Sequence, residues 1–247
     1  MYHHVVPADK VSPLAPFAVS ADLFSRQLTW LQLAGFHTVT LGEFFDLREA
    51  KKRCEKREKL LIITFDDCPA NLLEHAVPEL IRRGMTATFF AVAGKPGENN
   101  DWDRGEGAPE IPLMSSGDLK SLADGGFEIG SHGMSHANLR KCSPEQIRWE
   151  LKESREILED TIGRAVQFLA YPYGEYPEGY AGYCREAGYR GAVSIFSPVR
   201  TVTTDPYCMR RVLVHEGDNG MRFRFKMSRL YQRLRYYVDK RVLRADG

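Results

Sequence analysis

Leu60-Leu61-Ile62-Ile63-Thr64-Phe65-Asp66-Asp67 reads as a buried strand that delivers two adjacent carboxylates at its carboxyl end. Enzymes built on parallel strands place their chemistry at that end. A second stretch repeats the arrangement with different donors. Phe127-Glu128-Ile129-Gly130 is followed by Ser131-His132-Gly133-Met134-Ser135-His136, two imidazoles four residues apart. Together the two stretches offer a divalent cation two nitrogens and one oxygen, with one carboxylate left over as a base, the donor set of a hydrolytic metal site. Taken singly, each half has a plain alternative. One aspartate can begin a turn while the other caps a helix at Asn71, and an H-x3-H pair arises by chance on exposed turns.

Outward from these stretches, strand-like and helix-like segments alternate, which gives βα units, a mostly parallel sheet and an α/β fold. Ser20 caps a helix through Leu23, Leu28, Leu31 and Leu33 that stops at Gly35, and Thr40 caps another containing Phe44, Phe45 and Leu47. A short strand at Val39, a helix over Asn71–Arg83 closed by Gly84, and a strand over Thr86–Ala93 follow. Ser115 or Ser116 opens a helix that ends near Gly125-Gly126. Ser143-Pro144-Glu145-Gln146 joins a cap, a proline at the first helical position and a capping box, so Pro144–Asp160 is helical. Val166–Ala170, Gly191–Ile195 and Val212–Val214 read as strands, with a helix over roughly 177–187. Between Gly94 and Pro112 the chain is rich in Gly, Pro, Asn and Asp and reads as a rim loop over the site.

The 247 residues suit one large domain, and 43% hydrophobic with 27% charged residues is the balance of a soluble globular enzyme. Five scattered cysteines without CxxC spacing read as reduced thiols of a cytosolic protein. Met1-Tyr2-His3-His4-Val5-Val6 lacks the basic start and apolar core of a secretory signal, so with Met1 as the native start a cytoplasmic location is expected. No apolar stretch approaches the ~18 residues of a membrane span. Net charge is +1, but residues 221–247 carry nine Lys/Arg against Asp239 and Asp246, a tail of +7 that leaves −6 on the remainder.

A third segment, Phe168-Leu169-Ala170-Tyr171-Pro172-Tyr173-Gly174, places a Pro-aromatic-Gly turn after a strand. It is either a simple loop or a device that aims the Tyr173 backbone N–H at a developing oxyanion. Asp66-Asp67 in Thr-Phe-Asp-Asp, the Ser-His-x-x-x-His pair and Tyr-Pro-Tyr-Gly, in this order, resemble the three leading motifs of the polysaccharide deacetylase (NodB-homology) family. Ala87-Thr88-Phe89-Phe90 and Gly126-Phe127-Glu128-Ile129-Gly130-Ser131 add to the resemblance, which covers roughly residues 1–215. It implies a distorted (β/α) barrel with about seven parallel strands, and metal-dependent hydrolysis of an N-acetyl, O-acetyl or N-formyl group on a sugar.

By position, the resemblance makes Asp66 the general base and Asp67, His132 and His136 the metal ligands. Zinc is the default for two imidazoles and a carboxylate, and nickel, cobalt or iron also fit. The family's usual Gly after the Asp pair is replaced by Cys68, expected to pack. The Arg that often precedes the Pro-aromatic turn is absent, and Arg211 is the candidate replacement. Leu213-Val214-His215 does not match the late Leu-x-x-His motif that supplies the acid in many members. Met1-Tyr2-His3 resembles the opening of a branch that includes the poly-N-acetylglucosamine deacetylases, so His3 is assigned as acid over His215. His4 points the other way in an extended segment and serves structure. His37 and His75 read as surface or packing residues.

These readings give a catalytic domain over residues 1–220 and a basic helix over 221–247 packed on it. The helix is either a last barrel helix with a solvated cationic face, or a surface helix that meets anionic phospholipid or an acidic partner. Nucleic acid is not expected, because no recognition motif accompanies the charge. The expected activity is N-deacetylation of a sugar or glycan biosynthetic intermediate, free or lipid-linked. The alternatives are deformylation of a lipid-linked aminosugar and a non-catalytic glycan-binding relic, though the relic would require a lost ligand or base.

Overall fold

The computed structural model describes residues 1–11, 14–50, 59–102, 109–197 and 205–245. Most of the charged run after Arg48, with Cys54, lies outside it, as do residues 103–108 of the Gly94–Pro112 loop and the side chains beyond Asp239. Chain contacts group the described residues into two compact units. One comprises Met1–Ala91, Lys95–Ile129 and Val214–Glu216, the other Val92–Gly94, Gly130–Leu213 and Gly217–Gly247.

Within the first unit, β1 (His4–Val6) and β2 (Ala18–Ser20) pair in parallel. Ser20 then caps α1 (Ala21–Leu33) by accepting from the Leu23 N–H. β3 (Phe36–Thr38) leads through a Thr40 capping box into α2 (Leu41–Glu49) and pairs in parallel with β4 (Lys59–Leu61). Contrary to the single strand expected over Leu60–Phe65, the chain changes partner midway. The Leu61 carbonyl accepts from Val39, whereas the Ile63 carbonyl accepts from Thr88, and only Thr64–Phe65 forms β5. The expected Asn71–Arg83 helix is likewise two, α3 (Asn71–His75) and α4 (Val77–Arg82). Pro78 has no N–H for the Glu74 carbonyl, which interrupts the ladder.

Six strands hydrogen-bond in chain order: β5, β6 (Thr88–Ala91), β7 (Glu128–Ser131), β8 (Phe168–Ala170), β9 (Gly191–Ser194) and β10 (Met209–Arg210). The pairs β5–β6, β7–β8, β8–β9 and β9–β10 are parallel. Helices α5 (Ser116–Asp124), α6 (Pro144–Ile162) and α7 (Tyr180–Glu186) connect them, so the class is α/β, as expected. Tyr2 adds an isolated parallel bridge to Phe65 beside β5, so the main sheet has six strands where about seven were expected. Val212–Val214, expected to be the last strand, lies beyond β10, although the Val214 N–H donates to the Met1 carbonyl.

Phe65 anchors β5 in an aromatic stack. Its ring lies 4.8 Å from Phe89 and 5.7 Å from Tyr2, and Phe24 and Phe127 close the cluster edge-on. Buried aromatic pairs of this kind hold roughly 0.5–1.5 kcal/mol each beyond their area burial. The carboxylate of Glu128 accepts from the Leu41 and Gly42 amides and from the Thr88 hydroxyl, tying the start of α2 to β6 and β7. In the second unit, α6 follows its Ser143 capping box and ends on Gly163 in the left-handed conformation. Its buried residues include Ile147, Glu150, Leu151, Ser154 and Leu158. The basic tail forms α8 (Gly220–Lys226) and α9 (Arg229–Ala245). Among the described residues, no helix is long and apolar enough to cross a membrane.

Candidate metal centre

Backbone hydrogen bonds place the first pair of acids. The Tyr2 N–H donates to Thr64 and the Asp66 N–H donates to Tyr2, so the N-terminal segment grips β5 on both sides of Phe65. Asp66 is 2% exposed at the end of that strand. Asp67 and Cys68 then turn sharply with φ of 66° and 53°, a region that non-glycine residues seldom adopt. Cys68 is buried, as expected of a packing residue, and its carbonyl accepts from Met114. Burial, followed by the neighbouring Asp67 and Asp66 carboxylates, pushes its thiol well above the ordinary range.

The imidazole pair sits on a second constrained turn. His132 and His136 are both buried, with ring centroids 4.9 Å apart, and His136 has φ of 61°. The Nδ1 of His132 lies 2.8 Å from the Ala170 carbonyl. A carbonyl only accepts, so Nδ1 carries the proton and Nε2 presents its lone pair, the arrangement that metal-ligating histidines adopt. Glu150 holds the turn between the two histidines. Its Oε2 accepts from the Met134 N–H at 2.7 Å and the Ser135 N–H at 3.0 Å, and its Oε1 accepts from the Ser135 hydroxyl. The Ser131 hydroxyl takes the Gly133 N–H. Sequence reasoning passed over Glu150, although a visible signal existed: an acid on the apolar stripe of α6, beside Ile147, Leu151 and Leu158.

Tyr173 follows the same pattern, with φ of 60° in the Pro172–Gly174 turn and its ring 4.7 Å from that of His136. Asp67, Cys68, His136 and Tyr173 are the non-glycine residues with positive φ among those described. Asp67, His136 and Tyr173 fall one in each of the three motifs, and Cys68 directly follows the first. Such strain persists only where the surrounding structure fixes it, and it concentrates at functional sites. Gly174 has a different reason for its conformation. Its φ is +69°, and an added Cβ would lie 2.0 Å from Ile195 Cγ1. Gly174→Ala is therefore expected to destabilise the protein by roughly 2–3 kcal/mol, lowering Tm by roughly 5–10 °C. An unchanged thermal melt would show that the turn is not fixed in this form.

One ligand atom each from Asp67, His132 and His136 lie within 4.8 Å of one another. Two imidazoles and a carboxylate, two of the three residues buried, are a donor set that fits a divalent cation and leaves coordination positions open. The remaining candidates lie as follows. His3 is half-buried, with its ring 4.9 Å from Phe17. His215 is half-buried, and its Nδ1 lies 3.0 Å from the Pro16 carbonyl. Arg211 is half-buried beyond β10, and its N–H donates to Ser194. His4 is buried against Asn71 Nδ2 at 3.1 Å, and burial lowers its pKa to about 4, in keeping with a structural role. His75 lies 3.8 Å from Glu74, and His37 is exposed on β3.

The sequence model of the polysaccharide deacetylase family matches residues 53–192. The chain is 26% identical over 209 residues to a poly-beta-1,6-N-acetyl-D-glucosamine N-deacetylase of Staphylococcus aureus, covering 81% of this chain and 69% of that protein. Among solved structures, the Streptococcus pyogenes deacetylase PplD in complex with acetate superposes with a TM-score of 0.76 at 19% identity, covering 92% of this chain and 96% of that one. A de-N-acetylase from Aggregatibacter actinomycetemcomitans gives 0.76 at 18% identity, covering 92% and 97%. At these identities the structural likeness shows a shared α/β barrel-like fold.

Proposed function

This chain belongs to the polysaccharide deacetylase family, and from that premise we propose that it is a metal-dependent hydrolase removing N-acetyl groups from an N-acetylated glycan or glycan precursor. The gathering of Asp67, His132 and His136 donor atoms, with the buried Asp66 next in sequence, is the observation that carries the reading. A bound divalent cation, zinc by default, supplies Lewis-acid polarisation of the amide carbonyl. Asp67, His132 through the nitrogen not engaged with Ala170, and His136 would hold it. Asp66 accepts the proton of the attacking water. The backbone N–H of Tyr173 donates to the oxyanion, and the tyrosine ring against His136 walls the acyl site. Arg211 orients Asp66. A cytoplasmic setting belongs to the same proposal, and the four described cysteines are free thiols.

His3 is the acid that protonates the departing amine. Its support is positional: Tyr2 bonds to both Thr64 and Asp66, which places His3 one residue past the clamp on the Asp66 strand. His215 instead has Nδ1 directed at Pro16.

The test is release of acetate, with matching free amine, from N-acetylglucosamine oligomers and from lipid-linked N-acetylated sugars by zinc-loaded protein. Release of formate from N-formyl analogues with no acetate would move the protein to the deformylase reading. Absence of both would sink the hydrolase. In the same assay His3→Ala should lose at least about 10²-fold in kcat at unaltered metal content, and His215→Ala should stay within a few fold. The reverse order would transfer the acid to His215.

A further inference from the structure

Helices α8 and α9 present an unusual surface. Ten residues of 221–238 are exposed, and none of them is acidic or neutral polar. Four are arginines, Arg222, Arg224, Arg229 and Arg233. The other six are large and apolar: Met221 at 85% exposure, Phe225, Leu230, Leu234, Tyr237 at 60% and Val238. On α9 the positions 230, 234, 237 and 238 share one face.

The opposite face explains why the apolar stripe points outward. Asp239 lies nine residues after Leu230, turned about 180° from it at ~100° per residue. It is fully buried, and it pairs with Arg210 Nε at 2.5 Å and Arg235 Nη2 at 3.0 Å. Arg210 also donates to the Gln232 carbonyl, and Arg235 to that of Ile195. α9 therefore docks through a polar, ion-paired seam and turns its apolar side away. Of the two acids just ahead of α8, Asp218 is buried against Lys226 Nζ at 2.5 Å, and the carboxylate of Glu216 accepts from the Ser20 N–H and hydroxyl.

We infer that this face of α8 and α9 is a docking surface for an anionic lipid bilayer. An apolar stripe with arginines at its border lies in the interface plane, its apolar residues roughly 5–10 Å into the headgroup and acyl boundary while the guanidinium groups meet lipid phosphates. The charge distribution argues against a second copy of this chain. Pairing the face with itself would set arginines against arginines, with no exposed acid on 221–238 to receive them. The sequence of α9 continues with Lys240, Arg241 and Arg244, of the same sign. Docking of this kind does not depend on the hydrolytic chemistry, so the two readings fail separately.

The experiment is sedimentation of full-length protein with vesicles of phosphatidylglycerol and phosphatidylcholine, against vesicles of phosphatidylcholine alone. Partition onto the anionic vesicles should be at least about tenfold stronger and should weaken with added salt. Arg229→Gln with Arg233→Gln should reduce it roughly 25-fold, about fivefold per arginine. Leu230→Gln with Leu234→Gln should reduce it by more than about tenfold. Both pairs are exposed, so the Tm of each variant should match the parent. If that of the leucine pair falls, the arginine pair alone decides. Equal partition onto both vesicle types, no partition at all, or undiminished binding by the arginine pair overturns the inference. So does a dimer in solution that the leucine substitutions dissociate.

Discussion

Asp66→Asn is expected to cut turnover by roughly 10²–10⁴-fold while the protein keeps its metal and its melting temperature. The substitution is isosteric. Asp66 is buried at the end of β5, and its backbone N–H still donates to Tyr2 in the variant, so the strand and its aromatic anchor are untouched. What the amide lacks is a lone pair basic enough to take a proton from water. Steady-state kinetics beside elemental analysis separate this from a binding defect. A fall in kcat at full metal content supports the base. Unchanged kcat removes Asp66 from that role, and loss of metal would make it a ligand instead.

His132→Ala should have the second largest effect, on the metal itself. His132 is buried, its Nδ1 is committed to the Ala170 carbonyl, and its remaining nitrogen is the one available as a donor. Losing a residue that only orients a ligand costs about 10–100-fold in metal affinity. Removal of one of three donors should exceed that range, leaving the purified protein substantially zinc-free and inactive. Full zinc occupancy of His132→Ala by elemental analysis would exclude the residue as a ligand. Affinity reduced within the 10–100-fold range would reassign it as a group that positions His136.

The parts of the fold legible in the sequence are those settled by short-range chemistry. Ser20, Thr40, Ser115 and Ser143 each cap a helix by accepting an amide three residues on, and each can be read from a local pattern. The paired acids and paired imidazoles were legible for the same reason: their spacing and the strands before them are local. What escaped is set by distant partners. Nothing within Leu60–Phe65 says that its first carbonyls will serve β3 and its later ones β6. Glu150 carries a local hint, an acid on an apolar stripe, but the amides it accepts lie 15 and 16 residues earlier. The left-handed backbones of Asp67, Cys68, His136 and Tyr173 are imposed by the tertiary structure on residues with no such preference. In the tail, Leu230, Leu234, Tyr237 and Val238 recur at helical spacing, a local pattern that marks the apolar stripe of α9. Its direction was decided by Asp239 and the guanidinium of Arg210, 29 positions away in the chain.

That ion pair governs how the C-terminal segment can be studied. The Arg210 side chain is 4% exposed, and its counter-charge resides on the last helix. Shortening the protein ahead of Asp239 would strand a buried cation on β10, a penalty of roughly 3–5 kcal/mol. A truncated form that fails to express, or has lost activity, would thus report a damaged sheet edge, and the helix's outer surface can be interrogated only by exchanging side chains on an intact protein.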